Sequence, residues 1–138
     1  MIKVAGCWEL GYSTPLIEFD HWAFMLRDFG VDEWYMAPVS GINKRVTELR
    51  DVLEALDLNP DLTPVYVDEN GEIPLPSFTH PEHAIYLTGK AGYSPWVAAG
   101  RPAGQSVRIP TQRETPSKGL LWPHQALSIL FYDRLIKS

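Results

Sequence analysis

Short apolar runs alternate along the chain with longer stretches of period three to four. Ile2 to Trp8 (IKVAGCW) is an apolar run of strand length. Ser13, Thr14 and Pro15 supply a helix start, with proline at or near the first helical position. From there Leu16, Phe19, Ala23, Leu26 and Phe29 recur at spacings of three and four, and Gly30 marks the stop. Trp34 to Val39 predicts a second strand, limited in length by Pro38. Thr47 predicts the N-cap of a helix through Leu58, with Leu49, Val52, Leu53, Leu56 and Leu58 as its apolar face. Val65 to Val67 predicts a strand before an Asn70-Gly71 turn. Residues 72–82 carry Pro74, Pro76 and Pro81 and predict irregular chain. His83 to Leu87 predicts a strand running into Thr88-Gly89-Lys90, and Ser94-Pro95 a short helix ending near Gly100. Val107 to Pro110 predicts one more strand. Pro123 opens a last helix with Ala126, Leu127, Leu130, Phe131 and Leu135 on one face.

Strands alternating with helices predict an α/β domain over residues 1–138, a mostly parallel sheet flanked by helices. Ligands of such sheets bind outside the carboxyl ends of the strands. That prior points to residues 8–15, 39–46, 88–94 and 110–122 without naming a ligand.

Composition adds an asymmetry. The chain has 138 residues, 45% hydrophobic and 21% charged, which is ordinary globular usage and excludes a disordered chain. Its net charge of -5 argues against a general nucleic-acid binder. Residues 1–83, however, hold 5 basic and 15 acidic side chains, and residues 84–138 hold 7 basic and 2 acidic. One face is thus expected to meet an anion. Cys7 is the lone cysteine, which excludes an internal disulfide framework and a zinc site of paired cysteines, and fits a reducing, cytoplasmic setting. No leader is expected, because the N-terminal run IKVAGCWEL is short and interrupted by polar residues, and no membrane span, because no apolar stretch reaches about 18 residues.

Individual motifs are modest. Thr88-Gly89-Lys90-Ala91-Gly92 follows a strand but has neither the spacing of a phosphate-binding P-loop nor that of a dinucleotide fingerprint. His80 and His83 are separated by Pro81 and Glu82 and are not expected to bind metal. His21 is expected on the outer side of the first helix. His124 lies in the first turn of the last helix, as an anion-site residue or as a polar surface group. Tyr93, Trp96 and Trp122 stand among Lys90, Arg101, Arg108, Arg113 and Lys118. Interleaved rings and cations suit unpaired RNA; the rings would serve equally as core or dimer contacts.

The order of segments in the second half is more specific. A strand ends at a glycine loop (YLTGKAG), a second strand ends in Ile-Pro (VRIP), and a polar loop leads into an apolar helix (ALSILFYD). This resembles the C-terminal half of SpoU/TrmH-like RNA methyltransferases of the SPOUT superfamily. The first half is also similar: a strand, a polar loop and a helix ending Phe29-Gly30 before an EWYM strand.

The resemblance implies a C-terminal trefoil knot, a homodimer and S-adenosyl-L-methionine as cofactor. It places the cofactor on three loops, at Leu87, Thr88, Gly89 and Gly92, at Val107, Ile109 and Thr111, and at Leu120, Leu121, Trp122 and Ala126. The family's catalytic arginine falls on Phe24, its signature asparagine on Trp122 and its second serine on His124. His124 and Arg27 are then the catalytic candidates, a neutral imidazole serving as base. Lys44, Arg45, Lys90, Arg101, Arg113 and Lys118 are the RNA-binding candidates. The implied activity is ribose 2′-O-methylation of tRNA or rRNA, with neither metal nor membrane. The alternative is a SPOUT-like protein that has lost catalysis and binds RNA, a nucleotide-like ligand or a protein.

Overall fold

The expected alternation closes into one sheet. The computed structural model describes residues 1–9, 15–41, 46–90, 93–100, 104–112 and 121–138. Among them are strands β1 (Ile2–Cys7), β2 (Glu33–Ala37), β3 (Thr47–Glu48), β4 (Thr63–Val67), β5 (Ile73–Pro74), β6 (Ala84–Thr88) and β7 (Gln105–Arg108). The helices are α1 (Pro15–Asp28), α2 (Glu54–Leu58), α3 (Pro95–Ala98) and α4 (Pro123–Lys137). The strand order is β3-β2-β1-β6-β4-β7-β5, and every pairing is parallel. The fold class is therefore α/β, as the sequence predicts.

A parallel sheet of this kind needs cover on both faces. Alternation along each strand provides two apolar sets. Val4 and Trp8, with Ala84 and Tyr86 of β6, pack under Phe19, Trp22 and Leu26 of α1 and Leu127, Leu130 and Phe131 of α4. Ala5 and Cys7, with Ile85 and Leu87, pack on the other face under Val52, Ala55 and Trp96. Phe29 stacks on Phe131 at 6.0 Å, joining α1 to α4.

Several expectations are corrected. Thr47 caps no helix; it pairs with Tyr35 as edge strand β3. The Glu48 carboxylate then accepts the backbone N–H groups of Ser40 (3.0 Å) and Gly41 (2.9 Å). Sheet pairing and these loop bonds outweigh the local capping preference, and the helix shrinks to Glu54–Leu58. Residues 72–82 are partly regular, because β5 adds to β7 at the sheet edge, where Pro74 is tolerated. The buried stripe of α1 is Phe19, Trp22, Leu26 and part-buried Phe29, while Leu16 is exposed. Leu58 and Leu135 also face out, beyond the reach of the core.

Gly6 decides where α1 sits. A Cβ there would lie 2.5 Å from Cη2 of Trp22, a fully buried ring. Only glycine lets the indole come this close to the strand. At the opposite end of the sheet, the last turns of α4 are tied down by a hydrogen-bond chain. Arg134 donates to Tyr86 Oη (2.8 Å), the Tyr86 hydroxyl donates to His80 Nδ1 (2.9 Å), and His80 Nε2 donates to Asp133 (2.8 Å). This assignment makes His80 neutral. Asp133 also pairs with Lys137 at 2.8 Å. Burial, partly offset by Asp133, holds the His80 pKa below its ordinary value. Burial alone would raise the Asp133 pKa, but the bonds from Lys137 and His80 outweigh it and lower it.

Two outcomes are expected. Gly6→Ala should cost about 1–3 kcal/mol of stability, the range for overpacking; an unchanged urea midpoint would mean that Trp22 is free to move aside. Stability should also fall with acid. An unfolded histidine binds its proton near pH 6.5, whereas His80 resists until a lower pH, so its contribution is lost as pH falls through that window. Asp133 follows below its ordinary carboxylate value. Denaturation at pH 7 and pH 5.5 should show a larger loss for the native protein than for His80→Gln. Equal losses would contradict a buried neutral His80.

Candidate functional site at the carboxyl edge of the sheet

The strand order reverses direction between β1, which leads outward to β2 and β3, and β6. A crevice at such a reversal, outside the carboxyl ends, is the expected ligand position. Gly6, Trp8 and Thr88 stand there. An ideal Cβ on Gly6 would lie 3.2 Å from Thr88 Oγ1, so hydroxyl and indole meet over the glycine. Among the described residues, Thr88 Oγ1 and Trp22 Nε1 are buried and have no hydrogen-bond partner. Such atoms cost about 1–3 kcal/mol each unless something bonds to them. Gly89 continues the turn; a Cβ there would lie 2.0 Å from the Tyr93 carbonyl oxygen, which requires glycine.

His124 enters from the start of α4. The Trp122 backbone N–H donates to Gln125 Oε1 at 2.9 Å, which closes the helix N-terminus and fixes its first turn. His124 is 8% exposed. Its ring lies 5.9 Å from Trp22, 5.8 Å from Trp122 and 5.3 Å from His21, centroid to centroid. Burial and then the charge of His21 hold its pKa below the ordinary imidazole value. The arrangement keeps a neutral imidazole in a largely apolar wall at neutral pH, the form a general base requires.

The candidate residues divide into several groups. Leu87 and Val107 are fully buried in the core, so only their backbone can meet a ligand. Ile109, Leu121, Trp122 and Ala126 are part-buried, and Thr111 is exposed. Gly92 and Leu120 lie outside the described residues, as do Lys44, Arg45, Arg101, Arg113 and Lys118. Lys90 is exposed beside the glycine turn. Trp96 belongs to the core: it is fully buried, stacks on Tyr66 at 5.1 Å and donates Nε1–H to Asp68 at 2.9 Å. Arg108 donates to the carbonyls of Gly71 (2.8 Å) and Glu72 (3.1 Å), which holds a turn.

Arg27 is exposed and stacks its guanidinium on Phe24 at 5.0 Å. It lies six residues beyond His21, about 9 Å further along the helix axis. The α1 side chains that meet His124 are Trp22 and His21, the latter on the outer side of the helix as expected. The sequence assigned neither Gly6 nor Trp22 to a site, and His21 only to the outer side of the first helix. A glycine inside an otherwise apolar strand was the available signal, since it marks a close backbone approach.

Among the described residues no group of three or more His, Cys, Asp or Glu side chains could hold a metal ion. None of the described helices is long and apolar enough to cross a membrane.

No protein-family model matches the sequence, and no curated protein matches it. Solved structures do. A protein described provisionally as an RNA methyltransferase from Bacillus anthracis superposes with a TM-score of 0.73 at 15% identity, over 99% of this chain and 94% of that one. An RNA 2′-O ribose methyltransferase gives 0.72 at 18%, over 99% of this chain and 56% of the other. The SpoU methyltransferase AviRb from Streptomyces viridochromogenes, in complex with AdoMet, gives 0.73 at 12%, over 98% and 57%. This chain therefore spans just over half the length of the last two. The sheet and its helices have the fold of the SpoU/TrmH-type RNA methyltransferases.

Proposed function

We propose that the protein is an S-adenosyl-L-methionine-dependent RNA methyltransferase acting on a ribose 2′-hydroxyl of tRNA or rRNA. One observation carries the reading: a buried imidazole, kept neutral, stands at the carboxyl edge of a sheet whose fold is shared with an AdoMet-bound methyltransferase. The residues present fit the cofactor. Among the described residues Thr88 Oγ1 has no hydrogen-bond partner, and a polar ligand would supply one. The cofactor would lie on residues 87–92, 107–111 and 120–126, held mostly by backbone. When bound, it supplies an electrophilic methyl group.

The chain's own residues do the remainder. His124 accepts the proton of the ribose hydroxyl, and Trp22 and Trp122 exclude water from its ring. Arg27, exposed on α1, takes an RNA phosphate, as do Lys90 and the basic residues 44, 45, 101, 113 and 118. Ile129, Tyr132, Leu135 and Ile136 expose an apolar face of α4, which a second copy would cover in a homodimer. The knot belongs to this reading too, since residues 113–120 lie outside the described ones. So does a cytoplasmic setting.

Radiolabelled methyl transfer to bulk tRNA and rRNA tests the reading. The native protein should transfer label, and His124→Ala should lose about 100-fold or more in rate, the usual contribution of a general base. Because burial lowers the His124 pKa, the native rate should stay flat as pH falls through 6.5 and decline only below it. Label transfer unaffected by His124→Ala would remove His124 from catalysis. No transfer, with no calorimetric heat at about 1 mM cofactor, would favour the non-catalytic alternative. That alternative is motivated by Phe24 and Trp122 standing at the family's arginine and asparagine positions.

Thr88→Val separates binding from folding. It removes a buried hydroxyl that has no partner among the described residues, so the free protein should become equally or more stable. Cofactor affinity should fall about tenfold, the worth of one hydrogen bond. Unchanged affinity would place the cofactor away from Thr88.

A further inference from the structure

We propose that His21 is a positioning residue for His124, the exposed imidazole carrying outward the proton that the buried one takes from the acceptor hydroxyl. The inference rests on the methyl-transfer reading. Its physical basis is the edge cluster itself. Trp22 is locked on Gly6, which fixes the rotation of α1. The residue before it, His21, is thereby set at the lip of the site with its ring 5.3 Å from that of His124, tilted by 54°. One ring is exposed and the other is buried. Indoles stand on the neighbouring sides, Trp22 from α1 and Trp122 from the segment before α4. His21 is a titratable side chain packed against His124, and its charge adds to burial in disfavouring a second proton there.

The chemistry gives this pair a task. As the acceptor O–H bond breaks, its proton goes to a ring nitrogen of neutral His124. The oxygen's electron pair forms the bond to the methyl carbon while the carbon–sulfur bond breaks toward sulfur. His124 is then an imidazolium in a wall of indoles, an unfavourable place for a charge. The second imidazole packed against it accepts the proton and releases it to water. An arginine at that place could stabilise charge but could not take a proton at this pH.

Two measurements test the pair separately from the reaction. The first is an NMR titration of the histidine rings in the free protein, for native, His21→Gln and His21→Lys. In the native protein the His124 midpoint should lie below the ordinary imidazole value. With His21→Gln the His124 midpoint should rise toward the ordinary imidazole value, and with the fixed charge of His21→Lys it should not. An unmoved His124 midpoint in His21→Gln overturns the pair, whatever the protein catalyses. The second is the pH profile of single-turnover methyl transfer to bulk RNA. His21→Gln should lose about tenfold in rate, and free imidazole in the buffer should restore part of it, because a mobile base replaces the missing carrier. A loss that imidazole does not restore, or a profile identical to native, overturns the relay. A His124 midpoint that rises in His21→Gln, in a protein with no methyl transfer, would overturn the methyl-transfer reading and leave the pair standing.

Discussion

The contact between Gly6 and Trp22 is the constraint on which the edge site depends. A large ring lies directly on a strand because the strand has no side chain there. This fixes both the height and the rotation of α1 above the sheet. Everything adjacent inherits that placement: Thr88 beneath the ring, His124 against it, and His21 one residue away at the rim. Aromatic burial of this size anchors a core strongly. The same anchoring holds His124 in place, as the proposed role of a base requires.

The two ends of α4 have different tasks. Its last turns are fastened by the chain from Arg134 through Tyr86 and His80 to Asp133 and Lys137, and Lys137 also donates to the carbonyls of Leu75 (2.7 Å) and Phe78 (2.9 Å). Donors and acceptors are matched there. At the other end, Thr88 Oγ1 and Trp22 Nε1 are buried without partners among the described residues. Unsatisfied buried polar atoms are where a fold has room for a further partner, and the proposed ligand position is at that second end.

Much of the architecture was legible in the sequence. The alternation of apolar runs with period-three-to-four stretches gave the α/β class and the parallel sheet, and Pro123 and Pro15 marked real helix starts. Thr47 misled because a capping preference is worth little against pairing with Tyr35 and the bonds of Glu48 to residues 40 and 41. The α1 stripe runs through Trp22 with Ala23 part-buried against the core and Leu16 outside it, since the Trp22 ring takes the space above Gly6. His124 was legible as a helix-start residue. Its neighbour His21 was not, because the two are far apart in sequence and meet only through packing. Arg27 illustrates the converse: the right residue type, one helix turn beyond Phe24 and away from the imidazole, where its guanidinium stacks on an exposed ring.

The central claim is that the carboxyl edge around Gly6, Thr88 and His124 holds S-adenosyl-L-methionine in a reactive position. A crystal structure of the protein grown with that cofactor tests it most directly. The account predicts the ligand on residues 87–92, 107–111 and 120–126, with its methyl group facing His124 and a polar atom within hydrogen-bond distance of Thr88 Oγ1. A ligand bound elsewhere, or Trp122 occupying that space with no ligand present, would contradict it.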